Sequence, residues 1–313
     1  MFTIEEYQAK LKNVIEGVDT YWLSKPLRSE FNHKHSLYVE GGNEEFRYGI
    51  DLSYNNENGV MKGSYRDRID VGFSMLYTTP KVQVTNQITY GVTKEKESPY
   101  GDFSTYTKLL PYEKYKDENG KMLRRLNWSR VLDFEPINPL YEAELGSYDK
   151  GKTNTITDNL SVNWYIKPTL WVRAEASVTQ SVNKREKFID PLSVHNNLQY
   201  GDDRSYVGSL TKSDRESTSW EGKFTISYNE SILNHNINLS GGAEVRTSKN
   251  NSSSGTYKGF QSAEFSSPEF ARDMPNKPGF SETQSRLFGV YFRLNYSYRD
   301  IYLADATVPP AWV

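Results

Sequence analysis

The side chains best suited to chemistry in this sequence are aromatic and gathered in one polar stretch: Tyr100, Phe103, Tyr106, Tyr112, Tyr115, Trp128 and Phe134. Aromatic faces stack on sugar rings and on the nonpolar parts of peptides, so Tyr100, Phe103, Tyr106, Tyr112, Tyr115 and Trp128 are candidate ligand or partner contacts. The competing reading is that they pack the loop on itself or against a capping partner. Other constellations carry less. His33 and His35 alternate on one strand face and could begin a metal site, but the sequence has no cysteine and offers no third ligand, so no metal site is assigned. Glu95, Lys96 and Glu97, and Asp214, Arg215 and Glu216, read as solvated loop charges rather than acid/base pairs. Asn127-Trp128-Ser129 and Asn251-Ser252-Ser253 have glycosylation spacing, which matters only on a eukaryotic secretory route. No nucleophile, base and orienting group stand at a recognisable spacing. The chain is read as a non-enzyme without a cofactor.

What must position those aromatic residues is a scaffold with a two-residue rhythm. Phe46, Tyr48, Ile50, Leu52 and Tyr54 alternate with Arg47, Gly49, Asp51 and Ser53, giving a strand one oily and one wet face. Val82, Val84, Ile88, Tyr90 and Val92 alternate in the same way with Gln83, Thr85, Gln87, Thr89 and Gly91, with Asn86 breaking the oily row. The pattern predicts strands at 31–41, 46–54, 65–77, 81–94, 155–166, 170–182, 217–228, 235–246, 286–298 and 301–308. Short connections such as Gly41-Gly42-Asn43-Glu44, Thr78-Thr79-Pro80, Lys167-Pro168-Thr169 and Arg299-Asp300 join them in pairs. Between the pairs lie a modest polar loop and three long excursions, 95–152, 183–216 and 247–284. Tight turns on one rim and long loops on the other describe an outer-membrane barrel, apolar toward lipid and polar toward a lumen.

Composition agrees with this. Mean hydropathy is -0.74 and no run approaches the roughly 20 apolar residues that a spanning helix needs. A barrel strand exposes only every second residue to lipid, so low hydropathy does not exclude one. Aromatic residues make up 14% of the chain, 23 of them tyrosine, which suits interfacial girdles. The net charge of -2 lacks the polybasic footprint of a nucleic-acid binder. Residues 2–14 carry Glu5, Glu6, Lys10 and Lys12 and lack the apolar core of a signal peptide, so the chain is expected to be an incomplete gene product.

The stretch 36–64, SLYVEGGNEEFRYGIDLSYNNENGVMKGS, resembles the SusC/RagA family of TonB-linked outer-membrane transporters. Asp19-Thr20-Tyr21-Trp22 is similar to the family's Thr-x-Trp segment, and Asn138-Pro139-Leu140-Tyr141 to part of its first large loop. Residues 293–303, RLNYSYRDIYL, resemble its mid-barrel hairpin. These pieces occur in family order. The departures are Gly72 and Ser74, where the family usually has Arg and Asn, and Pro309-Pro310, where it continues into an Arg-rich loop.

The resemblance implies an all-β, antiparallel transmembrane β-barrel of outer-membrane type, incomplete, with about ten strands in an open sheet. Residues 1–30 would connect plug to barrel, 31–308 would form the partial barrel and 309–313 an aberrant tail. The intact protein would lie in the cell outer membrane, in contact with its lipid. It would import a glycan or peptide substrate, driven by TonB, with a SusD-like lipoprotein as partner and no nucleic acid. The alternative is a soluble, secreted β-sandwich acting as a carbohydrate-binding module. Sandwich strands run shorter, about five or six residues, and their loops do not sort by length onto two rims. An independent ten-stranded porin would need a closing strand.

Overall fold

The computed structural model describes residues 4–127, 136–196 and 204–308. Its strands are β1 (His33–Gly42), β2 (Phe46–Asn58), β3 (Tyr65–Thr78), β4 (Val82–Lys96), β5 (Tyr148–Lys167), β6 (Leu170–Ile189), β7 (Ser209–Ile232), β8 (His235–Lys258), β9 (Gly279–Tyr298) and β10 (Tyr302–Val308). They form one ten-stranded sheet in chain order. Each strand is antiparallel to the next, and β1 and β10 are its open edges. The β9–β10 turn enters the left-handed region: Arg299 and Asp300 have φ of 56° and 57° in the three-residue connection between the paired Tyr298 and Tyr302.

Register shows which side chains share a face, because directly opposed residues of an antiparallel pair project from the same side. Ile50 opposes Phe73 and Phe73 opposes Ile88. Farther along, Val172 opposes Ile226, Phe224 opposes Ala243 and Ala243 opposes Val290. The alternations of the separate strands therefore merge into one apolar face. It is not covered: Ile50 is 49% exposed, Phe224 45% and Val290 50%. A sandwich would bury these residues against a second sheet, and the described residues contain only this one. Along β5, β6 and β7 the apolar rows run from Ile156 to Trp164, Leu170 to Val178 and Trp220 to Tyr228, broken on β5 by Asp158, which accepts from Asn86 Nδ2 at 2.6 Å on the same face. These stretches match the about 9–11 residues that a tilted transmembrane strand requires, with aromatic rings toward their ends.

The strands outrun the apolar band, which corrects the expected loops. β7 and β8 have 24 residues each, and β5, β6 and β9 have 20 each. Residues 183–189, 209–216, 247–258 and 279–284 are strand rather than loop, so Asp214, Arg215 and Glu216 lie within β7. Alternation failed as a guide there because both faces are polar in water. Cross-strand pairs hold these extensions instead, such as Asn183 Nδ2 with Thr153 Oγ1 at 2.7 Å, Thr211 with Thr256 at 2.9 Å and Ser213 with Ser254 at 3.0 Å.

On the polar face, Tyr291 lies across Gly242 so that its hydroxyl meets Thr225 Oγ1 at 2.5 Å. A Cβ on Gly242 would strike the Phe224 carbonyl and the Tyr291 ring. Gly242→Val is expected to destabilise the sheet by about 1–3 kcal/mol through overpacking. Gly222→Ala, whose new carbon would come no nearer than 3.3 Å to Val245, should change little. Thermal melts in detergent micelles would show the contrast.

Candidate functional site

The described residues of the first long connection fold as a small body on the long-loop rim rather than as an open loop. Its core is Trp22, Tyr106, Leu126 and Leu140, with Leu23, Met61, Tyr100, Leu109, Tyr115 and Met122 packed around them. Residues of the chain before β1 supply part of this core. Thr20 donates from its backbone N–H to the Pro111 carbonyl at 2.6 Å and from Oγ1 to the Glu113 carbonyl at 2.9 Å. Trp22 Nε1 donates to the Leu110 carbonyl at 2.9 Å. Asn138, fully buried, ties the far end of the loop: its Nδ2 reaches the carbonyls of Tyr115 and Leu123, and its Oδ1 accepts from Leu140 N–H. That last bond caps the short helix Pro139–Glu144, whose proline begins it without needing a donor.

The aromatic candidates divide within this body. Tyr106 is 1% exposed, donates to the Tyr100 carbonyl at 3.1 Å, and has its phenol pKa pushed up by burial. Tyr100 packs against the same core, with Lys62 Nζ 5.7 Å from its ring centroid. Tyr115 meets Trp22 edge-on at 6.1 Å and lies beneath Lys25 at 5.0 Å. Tyr112 is half-buried beside Lys10. Phe103 is 37% exposed and offers its ring to solvent. Trp128 and Phe134 lie outside the described residues.

The helix α1 (Ile4–Ile15) docks on this body through an ion pair that alternation could not reveal. Lys10 Nζ lies 2.8 Å from Glu113 Oε1, both side chains being nearly excluded from water, while Glu113 Oε2 is buried without a partner. Burial raises the Glu113 pKa; the hydrogen bond and charge of Lys10 oppose this but do not cancel it. The carboxyl therefore holds a proton more tightly in the folded protein than in the unfolded chain. The stability it contributes is complete below the ordinary carboxylate range and is lost as pH rises through the raised value. Hydrogen exchange over residues 98–127, corrected for intrinsic rate, should show protection falling from acid toward neutral pH. Glu113→Gln should flatten that dependence.

Residues 259–278 rest on the sheet through Phe260, which packs with Phe188, Leu210, Tyr148 and Tyr257. Phe188, Leu210 and Tyr257 oppose one another in register and lie on the side that continues the apolar face. The 259–278 connection thus folds outward. On the polar side, Trp171, Arg173, Lys223, Thr225, Tyr291 and Arg293 line a hollow of about 420 Å³. There Arg173 pairs with Glu175 at 2.7 Å, and Arg246 nearby pairs with Glu221 at 2.9 Å.

The His33 and His35 rings lie 5.1 Å apart, tilted by 52°, and His33 meets Tyr54 at 5.8 Å, at the upper end of the apolar row. Among the described residues no group of three or more His, Cys, Asp or Glu side chains gathers as a ligand set. Glu95 and Lys96 lie on β4 and project to opposite faces.

No protein-family model matches this sequence, and no curated protein does. Solved structures do match its fold. The structure of the RagAB peptide transporter superposes with a TM-score of 0.74 at 15% identity, covering 94% of this chain and 34% of that one. The RagAB peptide importer in its closed-closed and open-open states superposes at 0.73 with 15% and 14% identity, again over 94% of this chain and 34% of those. This chain spans about a third of the length of the structures it matches and has the fold of their barrel wall.

Proposed function

We propose that this chain is a wall segment of a TonB-dependent outer-membrane transporter of SusC/RagA type. The complete assembly would import peptides or oligosaccharides with a SusD-like lipoprotein over its mouth. One observation carries the reading: a single uncovered apolar face, as tall as a bilayer's hydrocarbon core, runs across a sheet whose other face is polar. Superposition on the RagAB structures supports the same class. Peptide is favoured over glycan only through that likeness. The rim body gives the contact surface for a capping partner, with Phe103 its exposed ring.

The absence of cysteine makes the test clean. Single cysteines at Phe224 or Val290 should be reached in micelles only by a lipid-soluble maleimide, and cysteines at Thr225 or Ser240 by a water-soluble one. Equal labelling of both faces by the water-soluble reagent would refute the membrane reading.

A further inference from the structure

Immediately above the apolar band, the outward face of β4 to β7 carries lysines in register. Lys94 opposes Lys152, and Lys152 opposes Lys184. In the next row up, Lys96 opposes Lys150, Lys150 opposes Glu186, and Glu186 opposes Lys212. Directly opposed like charges destabilise a sheet. Glu186 relieves only its own row, reaching Lys150 at 3.2 Å and Lys212 at 3.0 Å. Asp67 and Asp214 flank the first row, opposite Lys94 and Lys184. Even so, among the described residues Lys94, Lys96, Lys152 and Lys184 make no ion pair, and Lys94, Lys152 and Lys184 are exposed. Glu95 and Asp149 project inward, where Asp149 takes Arg185 at 2.6 Å, whereas Glu186, Asp214 and Glu216 share the outward face of β4 to β7. The six outward lysines Lys94, Lys96, Lys150, Lys152, Lys184 and Lys212 outnumber these three acids, so the strip is cationic in a chain whose net charge is -2.

Height supplies the ligand's identity. Lys94 and Lys152 stand about four residues beyond Tyr90 and Ile156, roughly 13 Å along the strand and roughly 10 Å along the normal of a tilted barrel. That is the headgroup zone of the outer leaflet, and flexible lysine stems can reach down into it. We infer that Lys94, Lys152 and Lys184, with Lys96 beside them, bind the phosphates of a phosphorylated outer-leaflet glycolipid. The inference rests on the membrane reading above.

The test titrates fluorescent diphosphoryl lipid A into micelles of the full chain. The triple variant Lys94→Gln, Lys152→Gln, Lys184→Gln should bind about a hundredfold more weakly. A variant with matched charge loss on the inward face, Lys34→Gln, Lys187→Gln, Arg293→Gln, should bind as the parent does. Dephosphorylated lipid A should bind the parent as weakly as the intact lipid binds the outward variant. The inference is overturned if the outward variant binds like the parent, if both variants weaken alike, or if inorganic phosphate competes at equal phosphate concentration. Maleimide labelling of Phe224→Cys in the same micelles separates the two readings. Entry of the water-soluble reagent there overturns both, whereas its exclusion there, without loss of lipid A binding in the outward variant, overturns only the glycolipid site.

Discussion

Cells given only these 313 residues, with an export signal supplied, will show no TonB-dependent uptake above background. Both β1 and β10 present an unpaired edge, and β10 is exposed along its whole length. Backbone donors and acceptors left unsatisfied in hydrocarbon carry a penalty of several kcal/mol each, roughly, by transfer estimates. A few such groups outweigh the whole stability of an ordinary domain, which is about 5–15 kcal/mol. The sheet should therefore aggregate through its edges or be degraded before it conducts anything. Uptake assays beside outer-membrane fractionation decide the matter. Transport by the chain alone would mean that its edges find partners.

The second large effect is expected at Trp22. Its indole is 2% exposed, anchors the rim body and bonds the Leu110 carbonyl. Trp22→Ala should cost about 3–5 kcal/mol, the usual range for removing a buried tryptophan, and should leave the Leu110 carbonyl without its indole donor. Hydrogen exchange over residues 98–127 should rise sharply while β2 to β9 stay protected. Tyr21→Ala, one position away and 63% exposed, is the control and should change little. Equal exchange in both variants would show that the rim body does not depend on the segment before β1.

Much of the architecture is written in the two-residue period. The strand order and the side each residue faces followed from rows such as Phe46 to Tyr54, because within a bilayer every second side chain must be apolar. The strand extensions were not legible, since in water Thr211, Ser213, Thr256 and Ser254 satisfy a ladder without any hydrophobic signature. At the rim, the segments holding Trp22 and Leu140 were each recognisable alone. That they share one core is long-range packing that no local pattern records. The aromatic spacing of the first loop likewise did not separate Tyr106, which builds the interior, from Phe103, which does not. The lysine strip is visible only once register places Lys94, Lys152 and Lys184 side by side.

The strand extensions also change the geometry of capture. Along β7 and β8 the wall continues about 11 residues past the apolar band, roughly 35 Å of strand and about 27 Å of height at a barrel tilt. An extended polypeptide of about eight residues spans that height. In the complete transporter proposed above, a flexible solute meeting this arc would lose its sideways freedom well outside the bilayer, and the hydrocarbon-level stretch of the wall would receive a chain already drawn out along its axis.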